Sequence, residues 1–305
     1  MLEMNKKVMR KIFLRWQLYL MILPVLLYKI LFNYKPMYGV LIAFKDFKLK
    51  NGIWGSEWVG FDNFERLFLS YTFPIALKNT LIISFLNLIL NFPLPIILAL
   101  SMNEIRNSKV KRLVQTVSYA PHFISTVVMC GMVILFLSPS HGIINQMIVF
   151  LGGEKISFMQ EPHMFKWIYN LSGVWQNAGW GTIIYLSALA GVDKALLEAA
   201  EMDGASRFQR VRHINLPTII PTITIMLILD CGHLLSLGYA KVLLLQNSAN
   251  LSASEVLSTY VYKMGLENFD YSFSTAANIF NSVCNIILLL TVNKIANKIN
   301  NSGLW

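Results

Sequence analysis

The chain has 305 residues, 55% of them hydrophobic and only 14% charged, with a formal net charge of +10. Soluble domains carry nearer a quarter charged residues, so this balance, with its positive mean hydropathy, excludes an ordinary soluble domain. The basic excess falls between long apolar runs instead of on one concentrated surface, which excludes a soluble nucleic-acid reader. Cys130, Cys231 and Cys284 lie inside apolar runs with no CxxC pair, so they read as small hydrophobes.

Lys6, Lys7, Arg10, Lys11 and Arg15 precede an apolar run at 16–32. No small-x-small cleavage site follows closely, so the run reads as an uncleaved first span, kinked or re-aimed at Pro24. Residues 34–71 read as an external segment. Within it Asp62 and Glu65 have capping-box spacing, and Phe61, Phe64, Leu67 and Phe68 share one helical face, predicting a helix in the interface plane. The second span is expected at 73–102, bent where Asn87, Asn91, Pro93 and Pro95 interrupt it. A short basic loop leads to a third span at 113–137, with Pro121 near its start. A second external loop, 139–167, precedes a fourth span at 168–192. A fifth span at 216–239 and a sixth at 276–295 flank a polar stretch, 246–271. The fold class is therefore all-α and integral to a membrane, with about six transmembrane helices. It divides into an N-terminal tail, first helix and interfacial segment (1–72) and a core of five helices (73–305).

Six spans put both termini and the loops at 103–112 and 193–215 on one side. That side holds Arg106, Lys109, Lys111, Arg112, Lys194, Arg207, Arg210, Arg212, Lys294 and Lys298 besides the basic N-terminus. The outer loops carry fewer lysines and arginines per residue, so the positive-inside rule makes the 193–215 side cytoplasmic.

Within the loop at 193–217, the stretch from Glu198 to Pro217 is polar, about twenty residues long, and lies between two long apolar runs. Leu196, Leu197, Ala199, Ala200 and Met202 follow Asp193 as strong helix formers, and Asp203-Gly204 supplies a stop. Ser206 then caps a short second helix from Arg207 to Ile214. Asn215-Leu216-Pro217 is expected to end it, because a residue before proline is pushed out of the helical region. The segment reads as helix, tight turn, helix, lying across the membrane surface. Glu198-Ala199-Ala200, three residues, Gly204, nine residues, then Ile214, one residue, and Leu216-Pro217 matches EAA-x3-G-x9-I-x-LP at every fixed position. This resembles the EAA loop of ABC importer permeases.

The resemblance runs from about residue 15 to Ser302-Gly303-Leu304-Trp305. RWQLYLMILP, YKPMYGVLIAFKDF, VQTVSYAPHFIS, NAGWGTIIYLSALAGVD and TYVYKMGLENFDYSFSTA look like successive blocks of the lipoprotein/polysaccharide-type sugar permeases within the maltose-type importers. WVGFDNFERLF resembles the segment preceding the core of that group. The resemblance implies a type I importer permease: one half of a heterodimeric pore completed by a second homologous permease. It further implies two ATPase subunits docked on the EAA loop and an extracytoplasmic solute-binding protein. The implied substrates are oligosaccharides, the implied location the bacterial cytoplasmic membrane, and nucleic acid has no part. No stretch reads G-x4-G-K-[ST], and HExxH, GxSxG and paired metal-ligand spacing are lacking, so neither catalysis nor a metal is expected here. No cofactor is expected in the chain; ATP and Mg would sit on the partner ATPases.

Sugars are held by planar polar groups and aromatic faces, and transporters place such groups in a midplane cavity. Trp175, Gln176, Asn177 and Trp180 are candidates from the fourth span. Asn278, Asn281 and Asn285, at spacings of three and four, form an amide stripe on the sixth. The amides read equally as pathway lining or interhelical glue, and the tryptophans also fit interface anchors. Asp230 and His233 are ionisable residues deep in a span, three apart, so they read either as a satisfied structural pair or as a proton relay. The relay reading leads to a rival function, a proton-coupled secondary sugar transporter.

Overall fold

The structure, a computed structural model, describes residues 15–300 with 303 and 304; Lys6, Lys7, Arg10, Lys11, Ser302 and Trp305 lie outside the described residues. Among the described residues, four helices are long and apolar enough to cross a bilayer: α1 (Trp16–Phe44), α3 (Thr72–Asn103), α9 (Arg207–Gly232) and α12 (Tyr271–Asn300). The pair α4 (Ser108–Phe123) and α5 (Thr126–Phe136) adds a fifth if the two are one bent span. The expected fourth span is α7 (Phe165–Leu189), whose 25 residues suffice to cross. It is too polar to count with the others by hydropathy, and its position explains why. It is the central helix, packed against α3, α4 and α9, so its Asn170, Gln176 and Asn177 face protein instead of lipid.

Several boundaries differ from the sequence expectation, and proline accounts for two. α1 does not stop near Phe32 but continues through a π turn, Ile30–Tyr34, and a 3-10 stretch, Lys35–Phe44. The second leg of the 193–217 loop does not end at Leu216-Pro217 either. A π turn, Val211–Asn215, carries it into α9, one rod from Arg207 to Gly232. A proline ring clashes with the carbonyl four residues before it. Those carbonyls belong to Phe32 and His213, each inside a widened i→i+5 turn that makes room.

Two spans break where continuity was expected. The third bends by 100° between α4 and α5. Its break is not at Pro121 but at Ile124–Ser125, where Ser125 caps α5 by accepting from Val128 N–H. The fifth ends at Gly232, and residues 233–238 are irregular before α10 (Tyr239–Leu245) resumes. Gly232 allows the close crossing there, since a Cβ would stand 2.5 Å from Leu289 Cδ1. The second span shows no sharp bend: α3 passes Pro93 with Phe92 alone out of regular helix.

The segment at 34–71, expected to be external, is held by its helix α2 (Asp62–Leu69). Asp62 makes no side-chain cap, so the expected capping box is absent. Asn63 takes the structural part instead, donating to the carbonyls of Ala43 and Lys45 at 2.9 and 3.1 Å where α1 ends. The polar stretch after α10 is folded, not a plain loop. Val256, Leu257 and Thr259 are fully buried there around α11 (Leu257–Tyr262). Buried Glu255 pairs with Lys263 and accepts from Thr259 Oγ1 at 3.1 Å. One apolar cluster (Ile83, Met129, Phe165, Tyr169, Val242, Val256) joins α3, α5, α7 and α10. A second (Ile96, Ala99, Tyr185, Leu189, Val192, Ile219) lies under the 193–217 loop.

Candidate functional site: a docking platform and a polar cavity

The platform is built by local rules. Asp193 caps α8 (Lys194–Met202), accepting from Ala195 N–H at 2.9 Å. The helix ends in a Schellman turn: Ala205 N–H reaches Ala200 O at 2.9 Å and Gly204 N–H reaches Glu201 O at 3.1 Å, with Gly204 at φ +76°. Ser206 opens the second leg through a reciprocal capping box with Gln209.

The two faces of this platform differ in what they touch. Leu197, Ile214 and Leu216 pack inward on the cluster of Ile96, Tyr185 and Ile219. Ile214 and Leu216 thus anchor the platform to the spans. Glu198 and Ala199 face outward beside Leu196, Met202 and Phe208, which are 58%, 88% and 71% exposed. Ala200 is half-buried, Pro217 is exposed, and Gly204 sits at the apex between the legs. An exposed apolar group of this kind, rimmed by charge, marks a protein-docking surface.

A clasp joins the platform to the loop between α3 and α4. Glu201 Oε1 accepts from Arg210 at 2.7 Å and from Arg106 at 3.2 Å. The Arg210 hydrogen bond and charge, helped by Arg106 and Arg207, hold the Glu201 carboxyl below its ordinary range. Buried Asn215 donates to Glu104 at 3.2 Å. Sequence reading placed Arg106 in a basic loop and Asn215 at a helix stop but foresaw none of these pairings, because partners 95 and 111 residues away leave no local signature.

A polar cavity of about 390 Å³ lies between α3, α7 and the broken fifth span. Gln176, Asn177, Asp230 and His233 line it together with Ser84, Asn87, Asn91, Tyr169 and Lys241. The break in the fifth span lines it, and Gln176 reaches from the lining to the break in the third; irregular backbone is tolerated where protein groups satisfy it. Gln176 donates to the freed Ile124 carbonyl at 2.9 Å, and Asn177 contacts His122 Nδ1 at 3.1 Å. Asn285 accepts from Leu235 N–H at 3.1 Å and donates to Ser236 Oγ at 2.9 Å, bridging the break in the fifth span.

The other candidates are not brought to this cavity. Trp175 lines an apolar groove with Met132, Phe136 and Leu171. Trp180 stacks on His122, ring centroids 4.5 Å apart. Asn278 and Asn281 line a separate pocket with Tyr239, Ser258 and Tyr262. Asp230 and His233 do not form a structural ion pair: His233 N–H donates to the Asp230 carbonyl at 3.1 Å, but no ion pair within 4 Å joins their side chains among the described residues. The helix ends between them at Gly232, which removes the shared face their spacing predicts. Sequence reading missed Ser84 and Lys241. A lysine in the otherwise apolar run 239–245 was a usable signal.

An all-helical membrane subunit with a polar cavity at broken spans, and an exposed platform continuous with one of those spans, is a transport permease driven from outside its own chain. Residues 91–301 match the binding-protein-dependent transport system inner membrane component, and the chain belongs to that family. It is 45% identical to the polygalacturonan/rhamnogalacturonan transport system permease protein YteP of Bacillus subtilis (strain 168), over 99% of this chain and 94% of that protein. It is 46% identical to protein LplB of the same organism, over 95% of this chain and 91% of that protein. Among solved structures it resembles a bacterial ABC transporter involved in the import of the acidic polysaccharide alginate. That match has TM-score 0.89 and 40% identity, and covers 96% of this chain and 99% of the other. An equal TM-score relates it to the alginate transporter in complex with an alginate pentasaccharide-bound periplasmic protein. The chain is thus the permease subunit of an ABC importer of the sugar and polysaccharide type, and the proton-coupled reading is not favoured.

Proposed function

We propose that this permease forms half of a pore that moves oligosaccharides released from polysaccharides into the cytoplasm by alternating access. A second homologous permease completes the pore, an extracytoplasmic binding protein delivers the sugar, and two ATPase subunits holding ATP and Mg dock on the platform. Both termini and the platform face the cytoplasm. Glu198, Ala199 and Ala200 present the docking helix, Gly204 sets the angle between the legs, Ile214 and Leu216 tie it to the spans, and Pro217 stands exposed where the second leg enters its span. Gln176, Asn177, Asp230 and His233 line the sugar pathway.

The observation that carries this reading is the uninterrupted rod from Arg207 to Gly232. Its outer end lies in the platform and its inner end is at Asp230 in the cavity lining. Motion of an attached ATPase is therefore delivered to the cavity by one rigid element. The test is ATPase activity of the purified complex in lipid, with and without binding protein and an oligosaccharide panel. Stimulation that requires both supports the importer. Proton-driven uptake without any co-purifying ATPase would refute it.

A further inference from the structure

We propose that Lys241 and Asn91 form a carboxylate receptor in the cavity, so that the transported oligosaccharide is acidic, with uronate units; this rests on the importer reading above. Lys241 projects from the first turn of α10 into the lining. Its ammonium donates to Tyr169 O at 2.7 Å and lies 4.4 Å from the Tyr169 ring centroid. Both partners are neutral. No carboxylate lies within 4 Å of it among the described residues, and Asp230, the one acid in the lining, does not reach it. A cation inside a membrane protein is costly without a counter-charge and is retained where it has work to do.

The surroundings of Lys241 favour an incoming acceptor. The Asn91 Nδ2 and the Ser84 Oγ, both in the same lining, have no hydrogen-bond partner among the described residues. Gly173 lets Lys241 and Asn91 come close to the α7 backbone at this point. A Cβ there would stand 3.2 Å from Lys241 Nζ, 3.8 Å from Asn91 Nδ2 and 3.9 Å from Asn91 Oδ1. An ammonium and an unpaired amide N–H thus stand side by side in one lining, the donor set that an ionised carboxylate accepts from. A neutral sugar hydroxyl would satisfy the amide but leave the lysine charge uncompensated. The remaining lining, with Gln176, Asn177, Asp230 and His233, offers mixed donors and acceptors for ring hydroxyls.

The test uses the reconstituted four-subunit complex with its binding protein in proteoliposomes. Two probes are compared: a galacturonate trisaccharide and its fully methyl-esterified form, equal in length and differing in charge. ATPase stimulation gives a half-maximal concentration for each, in wild type, K241M and K241R. The binding protein is common to all three, so its own preference cancels in the comparison. The proposal expects the wild type to favour the acid, K241M to lose about tenfold or more for the acid alone, and K241R to retain most of the preference. G173A, which crowds the Lys241 ammonium without removing charge, should raise the half-maximal concentration for the acid while leaving ATPase co-purification intact.

An unchanged acid-to-ester ratio in K241M would overturn the proposal. So would loss of the partner permease from purified K241M, because the counter-charge would then be the partner's. A wild type stimulated equally by both probes overturns the receptor but leaves the importer standing. No stimulation by any oligosaccharide would sink the importer, and the receptor with it.

Discussion

Gly204 is the position where one backbone angle controls docking. Its φ is +76°, and a Cβ built there meets nothing within 4 Å. Replacement therefore brings no collision, and its whole cost is conformational. An L-residue in this region pays roughly 1–2 kcal/mol, and a β-branched one sits at the upper end or beyond. G204A should weaken binding of the ATPase subunit about 5-fold and G204V about 30-fold or more, if the Schellman turn must form for docking. G204N, whose short side chain tolerates this region, should stay within a few-fold of wild type. The assay is equilibrium binding of purified ATPase subunit to the permease pair in nanodiscs, with sugar-stimulated ATPase as the functional readout. The ranking Asn, Ala, Val is the signature of backbone strain. Normal binding by G204V would refute the reasoning, and a G204N protein as weak as G204V would mean that glycine serves a contact instead.

Other expectations concern the clasp, a helix crossing, the buried ion pair and the outer face of α8. Since the Glu201 carboxyl is held below its ordinary range, its pairing is fully present at neutral pH and is lost only as pH falls through that lowered value. Sugar moved per ATP should therefore be flat from about pH 6 to pH 8 in this respect. E201Q should reduce the coupling ratio most at low salt, because the pair is half-exposed and screened; a salt-independent loss would count against the clasp. In G179A the new Cβ would lie 1.9 Å from the Ser118 carbonyl oxygen, a backbone atom with nowhere to go. Overpacking of this kind costs about 1–3 kcal/mol. The unfolding midpoint in detergent should drop for G179A and not for G131A, where a Cβ meets nothing within 4 Å. K263M leaves Glu255 buried without its cation, a loss of about 3 kcal/mol visible as a lower thermal midpoint. E198K reverses charge on the outer face of α8 and should abolish co-purification of the ATPase while leaving the permease pair folded.

The platform was legible in the sequence because each of its parts depends on residues within about five positions. Asp193, Gly204 and Ser206 set helix starts and stops through their own side chains or their lack of one. Pro217 is the instructive failure in the same stretch. The expectation that helix stops before proline assumes a regular turn, and a π turn at Val211–Asn215 removes that assumption. Only the packing of Ile214, Leu216 and buried Asn215 against the spans makes the widened turn the better outcome.

The cavity lay beyond such reasoning. Trp175, Gln176, Asn177 and Trp180 are neighbours in sequence, yet they point to an apolar groove, a helix break, the cavity and a histidine ring. Periodicity ranks residues by face but does not say which face meets which helix. The amide stripe on α12 divides for the same reason: Asn285 meets the broken backbone at Leu235, and Asn278 and Asn281 face another pocket.

By itself, then, the sequence determined membrane residence, the family, and the helix–turn–helix platform, since hydropathy, caps and a fixed motif act over short range. Tertiary structure alone decided where spans three and five break, which polar groups repair those breaks, and that Lys241 stands without a counter-ion among the described residues. Those outcomes are set by contacts between helices far apart in the chain, where one side chain's partner is whichever backbone group the packing leaves unpaired.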